Sequence, residues 1–106
     1  MAPTTHLTGR RVLDQHGEQI GTITDVLSDD RTLEPRWAVV SYGIFNHHRR
    51  LVPVSRLYTA ARDDERAAPV VSTIDKDIVR HAPKHAGGPL TREVDRLLGD
   101  YYGVAA

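Results

Sequence analysis

The 106-residue chain contains no cysteine, which excludes disulfide bonds, thiol nucleophiles and thiolate metal sites. It also has no excess of charge, because 14 Lys and Arg residues balance 14 Asp and Glu residues. The overall field that attracts a polyanion is therefore absent, and nucleic-acid binding would need a local basic surface. Aromatic residues make up only 6% of the chain, so few rings are available to stack on bases.

Long apolar runs are missing as well. No segment approaches the roughly 20 apolar residues that cross a bilayer, and the polar first 11 residues do not resemble a signal-peptide core. We therefore expect no membrane segment, and the absence of cysteine fits a reducing, cytoplasmic compartment. The length allows one modest hydrophobic core, which predicts a single domain over residues 1–106.

Short strands separated by turn residues dominate the first two thirds of the chain. Asp14 and Gly17 predict a turn after residues 11–13, because glycine accepts a positive φ and aspartate accepts hydrogen bonds from nearby backbone N–H groups. Residues 37–42 form the most strand-like window. Pro53 is expected at the end of the next strand or in an edge strand, because proline has no N–H to donate to the hydrogen bonds between strands. Five or six strands are predicted.

The second strand of the first predicted hairpin alternates imperfectly between apolar and polar residues. A glycine inside a strand often marks a bulge, and Gly21 lies at the irregular point. A bulge there would bring Ile20, Ile23 and Val26 to the same core. The strong bend that results favours a barrel over a flat sheet.

After residue 72 the apolar spacing changes from 2 to 3.6 residues. Asp75 is suited to cap a short helix that runs to His81, and the spacing places Ile78 and Val79 inward. Pro83 ends this helix, because the residue before a proline is disfavoured in the helical region.

A longer amphipathic helix is predicted near the C-terminus. Thr91 is suited to its N-cap and Gly103 to its C-terminal end. The apolar stripe between them consists of Val94, Leu97, Leu98, Tyr101 and Tyr102. A flexible joint at residues 86–89 precedes the helix, so the stripe can pack on its own barrel or on a second copy of the chain.

Several motifs follow one another in a fixed order: Leu7-Thr8-Gly9, Val12, Asp14, Gly17-Glu18-Gln19-Ile20-Gly21, Asp25-Val26, Glu34-Pro35-Arg36-Trp37 and Val52-Pro53-Val54. As an ordered set, they resemble the PRC-barrel domain family. Residues 74–103 look like the helical tail that follows this barrel in a bacterial subgroup, often attached to stress-related proteins.

The resemblance implies a mainly β (α+β) fold. A small antiparallel barrel would span residues 7–72, and a tail with a short helix and an amphipathic helix would span residues 73–106. The wider superfamily is similar to the cytoplasmic domain of the photosynthetic reaction-centre H subunit and to a domain of a ribosome maturation factor. The matching positions are turn and core positions, so the resemblance implies a binding or assembly platform with no catalytic residues.

Titratable residues form no clear reactive constellation. His81 and His85 have the i, i+4 spacing of helical metal ligands, but Pro83 lies between them, so we predict no metal site and no cofactor. Three carboxylates flank the first hairpin without a partner nucleophile, which predicts no catalytic residues and no enzyme activity. These carboxylates are Asp14, Glu18 and Asp25.

Two groups of residues are candidates for contact with a partner. The cluster His47-His48-Arg49-Arg50 is either a solvated loop or a contact for an anion or a partner. The apolar pair Ile44 and Phe45 either folds back onto the protein or forms an interface. The candidate interface residues are Ile44, Phe45, Val94, Leu97, Leu98, Tyr101 and Tyr102.

The sequence favours a non-enzymatic protein-interaction or assembly module that self-associates, as a homodimer, through the tail helix and an open strand edge. The alternative is a module that binds RNA or takes part in ribosome assembly through the barrel arginines. These are Arg10, Arg11, Arg31, Arg36, Arg49, Arg50 and Arg56. A small-ligand carrier would instead need a deep apolar pocket.

Overall fold

A curled six-stranded sheet forms the main part of the structure, a computed structural model that describes residues 7–29, 31–59, 68–84 and 90–104. The strands are β1 (Arg11–Leu13), β2 (Gln19–Ser28), β3 (Pro35–Tyr42), β4 (His48–Pro53), β5 (Leu57–Thr59) and β6 (Val70–Ser72). The helices are α1 (Lys76–Arg80) and α2 (Arg92–Tyr102). The predicted mainly β fold with two tail helices is confirmed.

The strand order is β4-β3-β2-β1-β6-β5. One pair departs from the predicted antiparallel arrangement, because β1 and β6 run parallel, with Val12 opposite Val70. Strand β5 forms the edge of the sheet opposite β4, and β6, which follows it in the chain, lies between β5 and β1. Its direction is therefore set by its antiparallel pairing with β5 and not by a hairpin with β1. Pro53 is the last residue of edge strand β4, as its missing N–H predicts.

The turn between β1 and β2 forms as predicted. Gly17 has a φ of 82°, a conformation that glycine adopts without steric cost. Asp14 Oδ1 accepts hydrogen bonds from the backbone N–H groups of His16, at 2.9 Å, and Glu18, at 3.0 Å. The side chain of Asp14 is buried, so these bonds replace its lost hydration.

The same carboxylate holds the start of α1. Asp14 Oδ2 accepts a hydrogen bond from the backbone N–H of Lys76 at 3.1 Å. Asp75 occupies the N-cap position, as predicted, but its side chain makes no capping hydrogen bond. Val79 is buried, whereas Ile78 is 47% exposed, so the prediction that both face inward was wrong for Ile78. A helix of five residues turns only one of these two neighbours toward the sheet.

Gly21 allows β2 and β3 to approach closely. A Cβ at this position would overlap the Ser41 carbonyl oxygen and lie 2.7 Å from Val40 Cγ1. The register of β2 shifts on both sides of the glycine, against β1 before it and against β3 after it. Ile20 and Ile23 are buried and Val26 packs against the same cluster, as predicted. The bulges therefore flank Gly21. Glycine is required at this position because a side chain would collide with β3.

The two faces of β3 and β4 pack against different apolar clusters, because neighbouring residues of a strand point to opposite faces. The inner cluster contains Leu7, Val12, Ile20, Ile23, Ala38, Val40, Val52, Val70 and Val79. The outer cluster contains Trp37, Val39, Leu51 and Leu98. Trp37 is fully buried, and its ring lies between β3 and α2.

Helix α2 begins and ends as predicted. Thr91 Oγ1 accepts a hydrogen bond from the Val94 N–H at 3.1 Å, and Gly103 closes the helix with a φ of 72°. The helix has 11 residues, and no helix within the described ranges is long and apolar enough to span a bilayer.

Polar contacts fasten α2 to the barrel of its own chain. Asp95 Oδ1 accepts hydrogen bonds from Trp37 Nε1, at 2.7 Å, and from Arg36 Nε. The Tyr102 hydroxyl donates to the carbonyl oxygen of Leu51, in edge strand β4, at 2.6 Å. Burial raises the pKa of Tyr102. Part of the β4 edge is therefore covered by the tail. The predicted assembly through a strand edge had assumed that this edge is open.

Candidate functional site

Strand β4 separates the four residues of the predicted His-His-Arg-Arg cluster. Arg50 points into the sheet's inner face and is only 6% exposed. The His48 ring stacks on the Tyr42 ring, with centroids 5.0 Å apart. His47 and Arg49 remain exposed to solvent. Of the four residues only Arg50 is buried, whereas His48 is exposed although it contacts the Tyr42 ring.

Arg80, from α1, brings a second guanidinium to the Tyr42 ring, in addition to that of Arg50. Its Cζ atom lies 4.4 Å from the Tyr42 ring centroid, and that of Arg50 lies 5.6 Å away. Both distances fall within the range of cation–π contacts. We refer to Tyr42, His48, Arg50 and Arg80 as the Tyr42 cluster. Arg80 is far from the other three in sequence, so the spacing of residues gave no signal for it.

Backbone carbonyls hold the two guanidiniums in place. Arg50 Nε donates to the Arg80 carbonyl oxygen at 3.3 Å, and Arg50 Nη1 donates to the Arg49 carbonyl oxygen at 2.9 Å. Arg80 Nη2 donates to the carbonyl oxygens of Gln19 and Ile20, at 3.4 and 3.2 Å. Arg80 Nε is buried and has no hydrogen-bond partner among the described residues. No carboxylate of the described residues forms an ion pair with either guanidinium.

A shallow pocket of about 210 Å³ opens beside the Tyr42 cluster. Arg80 and Tyr42 line it together with the polar residues Thr22 and Asn46. Most of its lining comes from the ends of β2 and β3 and from the hairpin loop between β3 and β4. The arrangement can hold a small polar group but is not the deep apolar pocket expected of a small-ligand carrier.

The tip of the β3–β4 hairpin exposes two large apolar side chains. Ile44 and Phe45 lie on a 3-10 turn (Ile44–Asn46), and Phe45 is 88% exposed. Phe45 and Asn46 have φ angles of 59° and 55°, which non-glycine residues adopt at a cost of about 1 kcal/mol or more. The loop does not fold back to bury these side chains. The alternative, that they form an interface with a partner, stays a prediction.

The apolar stripe of α2 is divided between the core and the surface. Leu98 is 2% exposed, and Val94 and Tyr102 pack against the outer cluster. Leu97, by contrast, is 55% exposed, and Tyr101 faces the same way. Three of the five predicted interface residues of α2 are therefore used inside the chain.

The exposed apolar surface of α2 extends onto α1. The Tyr101 hydroxyl donates a hydrogen bond to the carbonyl oxygen of Ile78 at 2.6 Å, which places these residues side by side. Both side chains are partly exposed. We refer to Ile78, Leu97 and Tyr101 as the outer helix face. The sequence missed Ile78 because its helical spacing suggested an inward position.

The barrel arginines are not all available at the surface. Arg10 and Arg50 are buried, and Arg36 forms an ion pair with Asp95. The exposed arginines of the predicted set are Arg11, Arg31, Arg49 and Arg56.

The remaining titratable candidates have structural surroundings. Burial raises the pKa of Asp14, but hydrogen bonds from three backbone N–H groups outweigh it and hold the pKa below its usual value. His81 Nδ1 lies 2.7 Å from the Asp77 carbonyl oxygen, and His85 lies outside the described residues. Within the described ranges, no three His, Asp or Glu side chains lie close enough to hold a metal ion. Glu18 pairs with Lys76, and Asp25 is exposed.

Comparison with known proteins identifies a family for most of the chain. The model of the PRC-barrel domain matches residues 4–84, a range that includes all six strands and α1. Helix α2 follows the matched range. No curated protein matches the chain.

Proposed function

Because this chain belongs to the PRC-barrel domain family, we propose that it is a non-enzymatic protein-interaction module that self-associates as a homodimer. The outer helix face is the observation that supports this proposal. It places three large apolar side chains next to one another at the surface, although α2 is already fastened to its own barrel. Contiguous exposed apolar surface marks contact sites more often than isolated apolar residues do.

The charges around Leu97 favour a second copy of the chain as the occupant of this face. Glu93, Arg96 and Asp100 surround Leu97 in a shallow depression of α2. Two α2 helices that cross antiparallel about a two-fold axis can pair Arg96 of each copy with an acidic residue of the other, because Glu93 and Asp100 lie on either side of Leu97. The face is then self-complementary in charge as well as in apolar surface, which a two-fold interface requires.

We expect Leu97→Asp to convert the dimer to a monomer with little loss of fold stability. An unpaired carboxylate buried between two helices should weaken association by a factor of about 100 or more. In the single chain Leu97 is largely exposed, so the free energy of unfolding should fall by only about 1 kcal/mol, from the lower helix propensity of aspartate and its repulsion by Glu93 and Asp100. Light scattering coupled to size exclusion measures the mass, and thermal unfolding measured by circular dichroism tests the fold.

Two matched variants make this test specific. Leu33→Asp introduces the same charge at an exposed position outside the outer helix face, where a φ of 60° suits aspartate better than leucine. It should remain dimeric. Ile44→Asp tests the hairpin tip, and dissociation of this variant with retention of the Leu97→Asp dimer would move the interface to that loop. A wild-type chain that is monomeric at every concentration would refute self-association.

RNA binding through the barrel arginines has less support. Two of the seven arginines are buried and a third is paired, so the basic surface is smaller than the sequence indicated. A stress-related role and a cytoplasmic location remain part of the proposal. The first is supported only by the resemblance of the tail, and the second by the absence of cysteine.

A further inference from the structure

We propose that the Tyr42 cluster, with the pocket beside it, binds a small oxyanion, that is, a carboxylate or a phosphate group. Two guanidiniums lie against the same aromatic ring, and neither forms an ion pair with a carboxylate of the described residues. Like charges held this close repel each other, and the repulsion is largest where water is excluded. A bound anion would remove this cost.

The burial of Arg50 supports an anion site. Arg50 is only 6% exposed, and within the described residues it donates to neutral carbonyl oxygens. Buried guanidiniums are ordinarily paired with carboxylates or phosphates, because carbonyl dipoles replace only part of the hydration of a full charge. Arg36, which is partly buried, is paired in this usual way with Asp95.

Residues with hydrogen-bonding side chains line the pocket. Within the described residues, Arg80 Nε is buried and has no hydrogen-bond partner, although Nη2 of this guanidinium donates to two carbonyl oxygens. Thr22 and Asn46 line the same pocket, and their side chains make no hydrogen bond within the described residues. An oxyanion accepts from donors of all three kinds, and a guanidinium fork suits both carboxylate and phosphate.

The size of the pocket limits the ligand. About 210 Å³ is well above the roughly 30 Å³ that one water occupies, and it suits a group of a few atoms. The pocket is also open to solvent beside the exposed Ile44 and Phe45, so the anionic group could be free or carried by a larger molecule. This inference does not depend on the dimer, because the outer helix face lies on other residues.

The test uses the wild-type protein and two anions, one inorganic and one organic. Sodium phosphate and sodium succinate are titrated separately at constant ionic strength with sodium chloride, and backbone amide shifts are followed by NMR. We expect saturable shifts at Thr22, Gly43 and Asn46 together with an increase in melting temperature, since binding to the folded state alone stabilises it. A response to phosphate only or to succinate only identifies the preferred class of oxyanion.

Two variants separate the site from general salt effects. Arg80→Gln should lose at least about 10-fold in affinity, as expected when a charge-assisted hydrogen bond is removed. Arg49→Gln removes the same charge from an exposed neighbour and should bind like the wild type. The absence of a saturable shift in the wild type up to about 50 mM anion overturns the proposal. An equal response of Arg80→Gln does so too, and the wild-type titration decides the matter if that variant does not fold.

Discussion

Gly21→Ala is expected to lower the free energy of unfolding by about 3 kcal/mol, a large part of the roughly 5–15 kcal/mol that stabilises a domain of this size. The added Cβ would overlap the Ser41 carbonyl oxygen and press on Val40. Neither atom can move away freely, because both belong to β3, which is paired on both sides. Urea denaturation followed by circular dichroism measures the loss.

Gly17→Ala is the matched control for this variant. A Cβ at Gly17 meets nothing within 4 Å, but the φ of 82° makes alanine unfavourable by about 1–2 kcal/mol. The φ of Gly21 is not positive, so its cost arises from overlap alone. If Gly21→Ala costs no more than Gly17→Ala, the close approach of β2 and β3 is not what requires glycine.

Asp14→Ala is expected to cost about 3–4 kcal/mol. The substitution leaves three buried or partly buried backbone N–H groups without an acceptor and removes the only side-chain acceptor at the start of α1 within the described residues. The melting temperature should fall by on the order of 10–20 °C for a domain of this size. Loss of α1 amide protection in hydrogen exchange should accompany it.

The stabilisation by Asp14 should disappear in acid. Its pKa is lowered in the folded state, so its contribution is complete above the unfolded value of about 3.9 and is lost as the pH falls through the lower folded value. The stability difference between wild type and Asp14→Ala should therefore narrow below about pH 4. Asp77→Ala removes an exposed carboxylate from the first turn of α1 and should show no comparable narrowing.

Local patterns predicted the elements that depend on local chemistry. The Asp14 and Gly17 turn, the Thr91 cap and the Gly103 helix end all formed where the sequence placed them. Each depends on a side chain and a backbone group only a few residues apart, so the spacing along the chain is enough to predict it.

The sequence could not predict contacts between residues that are distant along the chain. Asp14 caps α1, a role that local spacing had assigned to Asp75. Arg80 reaches the Tyr42 ring from a different element, which converts two residues of a loop-like cluster into a partly buried site. The apolar stripe that helical periodicity predicted for α2 is also wider than the face that is buried, because the barrel covers Leu98 but not Leu97. The division of an apolar stripe depends on the shape of the surface beneath it.

The parallel pairing of β1 with β6 has a consequence for the order of folding. Strands β1 to β4 are neighbours in sequence, so their hairpins close short loops and can form while the chain is still being synthesised. The second neighbour of β1 arrives only with Val70, and that pairing must close a loop that contains most of the sheet. Until then the free edge of β1 can pair with another nascent chain, so the interval before β6 emerges from the ribosome is when aggregation competes most strongly with folding.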